Sequence, residues 1–288
     1  MERRAARPIN SNKQRLSIMN TSGIAVGLIM AGSVGLGTWA APAQAQTNIA
    51  PQAERVLAAA CDYLAEAQYF GITGEIWREH VMSSGQKVQF CRTVTLEVKR
   101  PNRQHLELAS PHAQRGFWFD GKSLTILDRV HNLYSTAAMP GTLDAAIDKA
   151  HDDLGIDLPL SDLAVSDPYK SATAKVLKGT YYGLSPVLGV LCHHLAFTQD
   201  NVDWQIWIQD GPQPFIRKFV ITHKNEEGQP EFTALITRWD MTDRISDSDF
   251  RFEPPQDAAK IEMRGDHPQR GAANPEKTSP LTSPKAER

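Results

Sequence analysis

The chain is poor in cysteine and lacks the short motifs that announce common catalytic centres. Its 288 residues include only three cysteines, which are too few for a disulfide scaffold. Neither a Cys-x-x-Cys-His nor a His-Glu-x-x-His nor a Gly-x-Ser-x-Gly pattern occurs. The sequence therefore argues against covalently attached haem, a zinc protease and a serine hydrolase.

The chain also lacks a strong excess of charge of either sign. Lys and Arg number 31 and Asp and Glu number 33, so the formal net charge is −2. Domains that bind nucleic acid usually carry a basic excess. We therefore expect no nucleic-acid partner.

The triplet Cys192-His193-His194 is the densest group of reactive side chains. On a strand, Cys192 and His194 share one face while His193 lies on the other. A metal site would need distant ligands, such as His131 or His223, and adjacent strand positions are not a diagnostic metal spacing. An enzyme built on the two histidines and an aspartate is thus the least favoured alternative. We predict no catalytic residue, no metal and no cofactor.

The N-terminal 45 residues have the three-part layout of a secretory signal peptide. Basic residues between Arg3 and Arg15 precede an apolar run from Ile24 to Leu36, and an Ala-x-Ala pattern ends at Ala45. The alternative is an uncleaved anchor, but the run is short and is interrupted by Gly and Ser. We expect cleavage after Ala45, export to the periplasm and no transmembrane segment in the mature protein.

The rest of the chain predicts helix, strands, helices and strands, in that order. A helix is expected over 51–70, and strands over 72–82, 87–100, 104–109, 116–119, 123–127 and 133–135. Helices follow from 143, over 159–165 and over 168–177, and strands return from 179 to a last one at 249–252. Residues 50–262 are expected to form one domain, and the Pro-, Gly- and Ser-rich residues 263–288 a disordered tail.

A long hairpin over 201–224 is the strongest single signal. Val202, Trp204, Ile206 and Ile208 alternate with polar or amphipathic residues, which is typical of a strand with one dry face. A turn at Asp210-Gly211-Pro212 leads into a strand whose pattern places Phe215, Arg217, Phe219 and Ile221 together.

Because single strands and helices do not alternate, a parallel sheet is not expected. The order predicts an α+β fold in which a strongly curved antiparallel sheet is covered on its apolar face by helices. The strand aromatics then either fill the core or line a cavity for an apolar ligand. A disulfide between Cys91 and Cys192 and three free thiols are equally open at this stage.

Five segments carry a resemblance to a known family. They are ERVLAAACDYLAEAQYF, FWFDGKSLTILDRVHNLYS, GTLDAAIDKAHDDLGIDLPLSDLAVSDPY, GVLCHHLAFTQDNVDWQIWIQDG and FRFEPPQDAAKI. In them the chain resembles domain-of-unknown-function family 2092 of predicted periplasmic proteins, over about residues 52–261. That family is similar to the lipoprotein-carrier (LolA-like) fold, an incomplete β-barrel whose concave apolar face is covered by helices.

The resemblance implies a binding protein and not an enzyme. Carriers of this fold hold acyl chains, so the expected ligand is a lipid or another hydrophobic molecule. The expected ligand-binding residues are Trp204, Ile206, Ile208, Phe119 and Phe219. The alternative is an envelope sensor or scaffold that binds another protein through its sheet edge or its covering helices.

Overall fold

A computed structural model of the protein describes residues 48–242 and 246–263. The predicted signal peptide, and all but the first residue of the predicted tail, lie outside these described residues. Within them, no helix has both the length and the apolar character needed to cross a membrane.

The described residues form one thirteen-stranded sheet with a few helices, so the sheet dominates the α+β fold that was predicted. Its order is β1-β8-β9-β10-β11-β12-β2-β3-β4-β5-β6-β7-β13. The strands are β1 Asn48–Ile49, β2 Tyr69–Val81, β3 Lys87–Lys99, β4 Arg103–Ser110, β5 Ala113–Phe119, β6 Ser123–Asp128, β7 Leu133–Ala138, β8 Lys178–Val187, β9 Val190–Thr198, β10 Val202–Gln209, β11 Ile216–His223, β12 Glu231–Asp240 and β13 Ala259–Lys260.

Strand pairing is antiparallel through the body of the sheet and parallel at its two ends. The two-residue strands β1 and β13 pair in parallel with β8 and β7, respectively. Between them, two antiparallel runs meet where β12 pairs with β2. The curved sheet is therefore open, because its end strands β1 and β13 do not pair with each other.

The helices are α1 Pro51–Glu66, α2 Leu143–Asp152 and α3 Pro168–Thr173, with a 3-10 turn at Ser161–Ala164. The Thr142 side chain caps α2 by accepting a hydrogen bond from the Ala145 amide. Helix α1 buries a stripe at helical spacing, which consists of Ala53, Leu57, Ala60, Cys61 and Leu64.

The core lies between these helices and one face of the sheet, which we call the inner face. Val202, Trp204, Ile206 and Ile208 of β10 are all buried there, together with apolar residues of every long strand from β2 to β5. The opposite, outer face carries Asp203, Gln205, Trp207 and Gln209, which are half-buried. The alternation read from the sequence is therefore confirmed.

Several element predictions are wrong in detail. The helix predicted over 159–165 is only the 3-10 turn at Ser161–Ala164, and the helix predicted over 168–177 ends at Thr173. Helix α1 ends at Glu66, and Tyr69 already belongs to β2, because Ala67 takes an extended conformation. Residues 249–252 form turns and bends, and the last strand is β13. A bulge between β10 and β11 shifts the register at Ile208, so Arg217 points outward and donates to Gln209 Oε1 over 2.9 Å.

The Cys91–Cys192 bridge is not formed. All three cysteines are free, with Cys61 and Cys192 buried and Cys91 exposed. Cys91 lies on β3 and Cys192 on β9, with β10, β11, β12 and β2 between them in the sheet. Neighbouring strands are about 4.8 Å apart, whereas bridged cysteines need Cα atoms within about 7 Å.

Candidate ligand pocket on the inner face

The five residues expected to bind a ligand all belong to the inner-face core. Trp204, Ile206 and Ile208 are 5%, 6% and 0% exposed, and Phe119 is 3% exposed. Phe219 is half-buried and packs against the same core. Trp204 stacks on Phe197 with ring centroids 4.0 Å apart. At β10 the inner face is thus filled by side chains.

A pocket opens beside this filled region, where residues 153–165 cross the sheet. We call these residues the covering segment. The pocket volume is about 80 Å³. Phe219, Ile221 and Phe232 of β11 and β12 form its apolar floor. The remaining lining residues come from β2, α2 and the covering segment, and they are Arg78, Ile147, Asp148, His151, Asp152, Ile156, Asp157, Leu158, Pro159, Leu160 and Asp162.

Carboxylates crowd the mouth of this pocket. Asp157 and His151 are in contact, with 2.9 Å between Oδ1 and Nδ1. Burial raises the pKa of Asp162 to about 6, against the attraction of His151, and the charges of Asp157 and Asp148 add to the rise. Burial and the charge of Asp152 likewise raise the pKa of Asp148. The ionised forms of Asp162 and Asp148 are therefore disfavoured at this mouth.

A smaller cavity of about 10 Å³ lies on the other side of Ile147 and Leu158, which line both spaces. Its wall includes Phe119 and Gln104. Gln104 is 3% exposed and its Nε2 donates to Ser161 Oγ over 2.6 Å. In that orientation Gln104 Oε1 has no hydrogen-bonding partner among the described residues. A buried acceptor without a donor costs about 1–3 kcal/mol.

The covering segment is fastened mainly at its ends. Its backbone amides bond locally, as from Ile156 to the Ala150 carbonyl and from Ser161 to the Leu158 carbonyl. No backbone hydrogen bond joins it to the sheet within the described part of the chain. Beyond its last turn, the Arg100 guanidinium holds the carbonyl of Val165 over 2.9 Å. Between these anchors only side chains hold the segment down.

The covering segment contains one of the five non-glycine residues that have a positive φ in the described part of the chain. Leu160 has φ 66° although it is not a glycine, and Gly155 has φ 64°. The left-handed region costs roughly 1–2 kcal/mol for a residue with a Cβ. Leu160 is nonetheless 4% exposed and lines the pocket. Strain of this kind is common where a segment changes conformation.

The outer face holds a shallow groove of about 400 Å³. Trp77 and Trp207 lie in it, alongside the tip of the β8–β9 hairpin. Trp207 stacks on His194 at 4.2 Å between centroids, and the Lys218 ammonium lies 4.7 Å from the Trp207 ring. None of the five predicted ligand residues borders this groove.

The histidine pair is divided between the two faces, as the strand pattern predicts. His194 packs on the outer face against Trp207. His193 lies on the inner side, where its Nε2 is 3.1 Å from Asp210 and its Nδ1 is 2.9 Å from the Tyr181 hydroxyl. In residues 48–242 and 246–263, no group of three or more His, Cys, Asp or Glu side chains is placed to hold a metal ion.

Of the five predicted residues, Phe119 borders the smaller cavity and Phe219 borders the pocket. The roof residues Leu158, Leu160 and Asp162 were not predicted. The sequence held one signal for them, because residues 143–167 contain seven aspartates and a single lysine.

Comparison with solved structures finds distant neighbours of similar size. An uncharacterized conserved protein from Thermus thermophilus has a TM-score of 0.43 and 10% identity, covering 73% of this chain and 99% of its own. The lipoprotein LppX of Mycobacterium tuberculosis has a TM-score of 0.41 and 9% identity, and the match covers 68% of this chain and 98% of LppX. A LolA superfamily protein from Nitrosomonas europaea has a TM-score of 0.36 and 10% identity, and the match covers 69% of this chain and 97% of that protein.

No curated protein matches the sequence. One family model matches residues 53–264, which is most of the chain and all of its core strands. The chain therefore belongs to the family described as predicted periplasmic protein (DUF2092).

Proposed function

We propose that this chain is an exported, non-enzymatic protein that binds a lipid or another hydrophobic ligand on its inner face, beneath the covering segment. The observation that carries this proposal is a pocket with an aromatic and aliphatic floor under a roof held down by side chains. Export fits the predicted signal peptide of residues 1–45 and the family's description as periplasmic.

The pocket must enlarge to take an acyl chain. Its volume of about 80 Å³ is well below the roughly 300–1,000 Å³ of typical small-molecule sites. Moving Leu158 and Ile147 would join the two inner cavities, because these side chains line both. Phe219 is paired with Ile206 across the β10–β11 ladder. A chain entering past Phe219 would therefore reach the predicted ligand residues.

Filling the pocket tests this proposal. We expect the purified chain to take up a fluorescent fatty acid, and Leu158→Trp to weaken that uptake by about tenfold or more, a loss of about 1.4 kcal/mol. Leu235→Trp is the matched control, because Leu235 lies on the outer face in the other groove. It should leave the affinity unchanged.

Circular dichroism of both variants controls for folding. Failure of the unmodified chain to bind any apolar probe would overturn the proposal. A loss of affinity in Leu235→Trp with none in Leu158→Trp would move the ligand to the outer groove.

A second candidate function is the binding of an envelope protein at the sheet edge. Only Lys178 and Gly179 of β8 pair with β1. Along the rest of β8, no further strand covers the edge in the described residues. An uncovered edge can add a strand from a partner. A photo-crosslinker at Tyr182, which is 65% exposed, should then capture a protein in whole cells. The edge proposal fails if that position captures nothing.

A further inference from the structure

The end of the β8–β9 hairpin concentrates exposed apolar side chains. Four of the nine exposed large hydrophobic residues in the described part of the chain lie within residues 182–191, which we call the hairpin end. They are Tyr182, Leu184, Leu188 and Leu191, with exposed fractions of 65%, 51%, 64% and 47%. No residue from 179 to 192 carries a charge. An uncharged, exposed apolar cluster of this kind marks an interaction surface.

These side chains surround the hairpin end instead of sharing one face. Leu184 and Leu191 lie on the inner side, according to the register between β8 and β9. Tyr182 lies on the outer side, where its ring centroid is 5.5 Å from that of His194. Leu188 is at the turn itself. A folded protein partner would cover one face, whereas a fluid apolar medium contacts both faces and the turn together.

Leu188 occupies a backbone position that suits other residues better. The pair Leu188-Gly189 forms a two-residue turn between the paired residues Val187 and Val190, and its φ values are 50° and 78°. Positive φ at both positions defines a type I′ turn, in which Asn-Gly is the favoured sequence. A leucine is strained there because its Cβ crowds the backbone. Since its side chain is also exposed, packing within the fold does not explain it, and a contact outside the chain does.

The backbone of the hairpin end is poorly suited to a partner that adds a strand. Pro186 has no amide hydrogen to donate, and a bulge between Tyr181 and Gly183 interrupts the ladder. Both features blunt the edge of a sheet. Contacts at the hairpin end are therefore expected to come from apolar side chains and not from backbone hydrogen bonds.

We propose that the hairpin end inserts into the surface of a lipid bilayer, with Leu188 deepest and Leu184 and Leu191 at the boundary of the acyl chains. Tyr182 then lies closer to the head groups, where tyrosine is enriched. Insertion takes no charged side chain into the bilayer, and a periplasmic protein, as the family is described, meets bilayers on both sides of its compartment. This contact goes beyond ligand binding in the inner-face pocket and does not depend on it.

Vesicles of phosphatidylethanolamine and phosphatidylglycerol test the insertion, with the chain recovered from the periplasm. In a flotation assay the unmodified chain should rise with the vesicles. Leu188→Asn should lower the partition coefficient by roughly tenfold or more, because burial of a leucine side chain contributes at least that factor. Raising the salt concentration should not weaken the binding, since the hairpin end carries no charge for salt to screen.

Met82→Asn is the matched control. Met82 is also exposed, but it lies at the β2–β3 turn, at the opposite end of the sheet from the β8–β9 turn. This variant should partition like the unmodified chain.

Urea unfolding supplies a readout that separates membrane contact from a structural role. Leu188→Asn creates the Asn-Gly pair that a type I′ turn favours. Its stability should therefore equal or exceed that of the unmodified chain while its vesicle binding falls. A leucine that serves the fold would lose stability on the same substitution.

A fluorescent label locates the contact. In a Cys91→Ser background, which removes the exposed thiol, an environment-sensitive dye on Leu188→Cys should brighten and emit at shorter wavelength when vesicles are added. The same dye on Met82→Cys should not respond.

The outcomes are separable from those of the pocket. Leu188→Asn should leave the uptake of a fluorescent fatty acid unchanged, so either proposal can fail alone. An unmodified chain that does not bind vesicles would overturn the insertion, as would equal binding by Leu188→Asn or a marked loss of its stability. Capture of a protein in whole cells by a photo-crosslinker at Leu188, without vesicle binding, would assign the hairpin end to a protein partner instead.

Discussion

Replacing Asp162 by asparagine should stabilise the protein at neutral pH. The folded state raises the pKa of Asp162 from 3.8 to about 6. The folded chain therefore holds this proton more tightly than the unfolded chain does, so stability from this group is full below about pH 4 and is lost as pH rises through about 6. At about 1.4 kcal/mol per pKa unit, the loss approaches about 3 kcal/mol. Asparagine cannot ionise and avoids it.

The assay is urea unfolding followed by circular dichroism at pH 4 and at pH 7.5. At pH 7.5 the free energy of unfolding of Asp162→Asn should exceed that of the unmodified chain by up to about 3 kcal/mol. At pH 4 the difference should shrink to about 0.5 kcal/mol, because Asp162 is then protonated in the folded chain and only partly ionised in the unfolded chain. Asp153→Asn, which loses an exposed pair with Lys149, should change stability by less than about 1 kcal/mol at either pH.

An equal gain at both pH values would refute the electrostatic reasoning and indicate a packing effect. A loss at pH 7.5 would refute it outright, since it would mean that the carboxylate has a stabilising partner.

Two further substitutions and one labelling experiment test the electrostatics, the packing and the state of the cysteines. Burial lowers the pKa of His105, but hydrogen bonds and charge from Glu107 and Glu97 outweigh it and raise that pKa to about 8. The unmodified chain should therefore be more stable than His105→Gln by about 2 kcal/mol below about pH 6.5, and this difference should vanish above pH 8. Urea unfolding measures it. Equal differences at pH 6 and pH 9 would contradict this. Ile208 is fully buried, so Ile208→Ala should cost about 2–5 kcal/mol in the same assay, and a cost below about 1 kcal/mol would mean that the inner face is loosely packed there. A thiol reagent should label the exposed Cys91 alone in the native protein and all three cysteines after unfolding, whereas a single label after unfolding would reveal a bridge.

The strands could be predicted because alternation is a local signal. In β10, the apolar residues of the run VDWQIWIQ are buried and the residues between them are half-buried, as the alternation predicts. Strand β9 likewise covers Val190–Thr198, the apolar and polar run that predicts it. Predictions failed where the pattern gave no boundary. The sequence predicts that the first helix continues to residue 70, because apolar residues follow Glu66 without a glycine or proline before Gly71.

The pocket could not be predicted, because its roof is placed by contacts between distant parts of the chain. Arg100 reaches the carbonyls of Ala164 and Val165, and Gln104 reaches Ser161, across more than fifty residues of sequence. Position 217 was assigned to the wrong face for a related reason, since a bulge shifts the alternation and leaves no mark in the residues themselves.

Native mass spectrometry of the full chain, recovered without detergent and before any extraction, tests ligand binding on the inner face most directly. We predict a lipid-sized mass above that of the chain, removable by organic solvent, absent or reduced in Leu158→Trp and retained in Leu235→Trp. A chain that carries no adduct, or an adduct held equally by Leu158→Trp, would contradict binding beneath the covering segment.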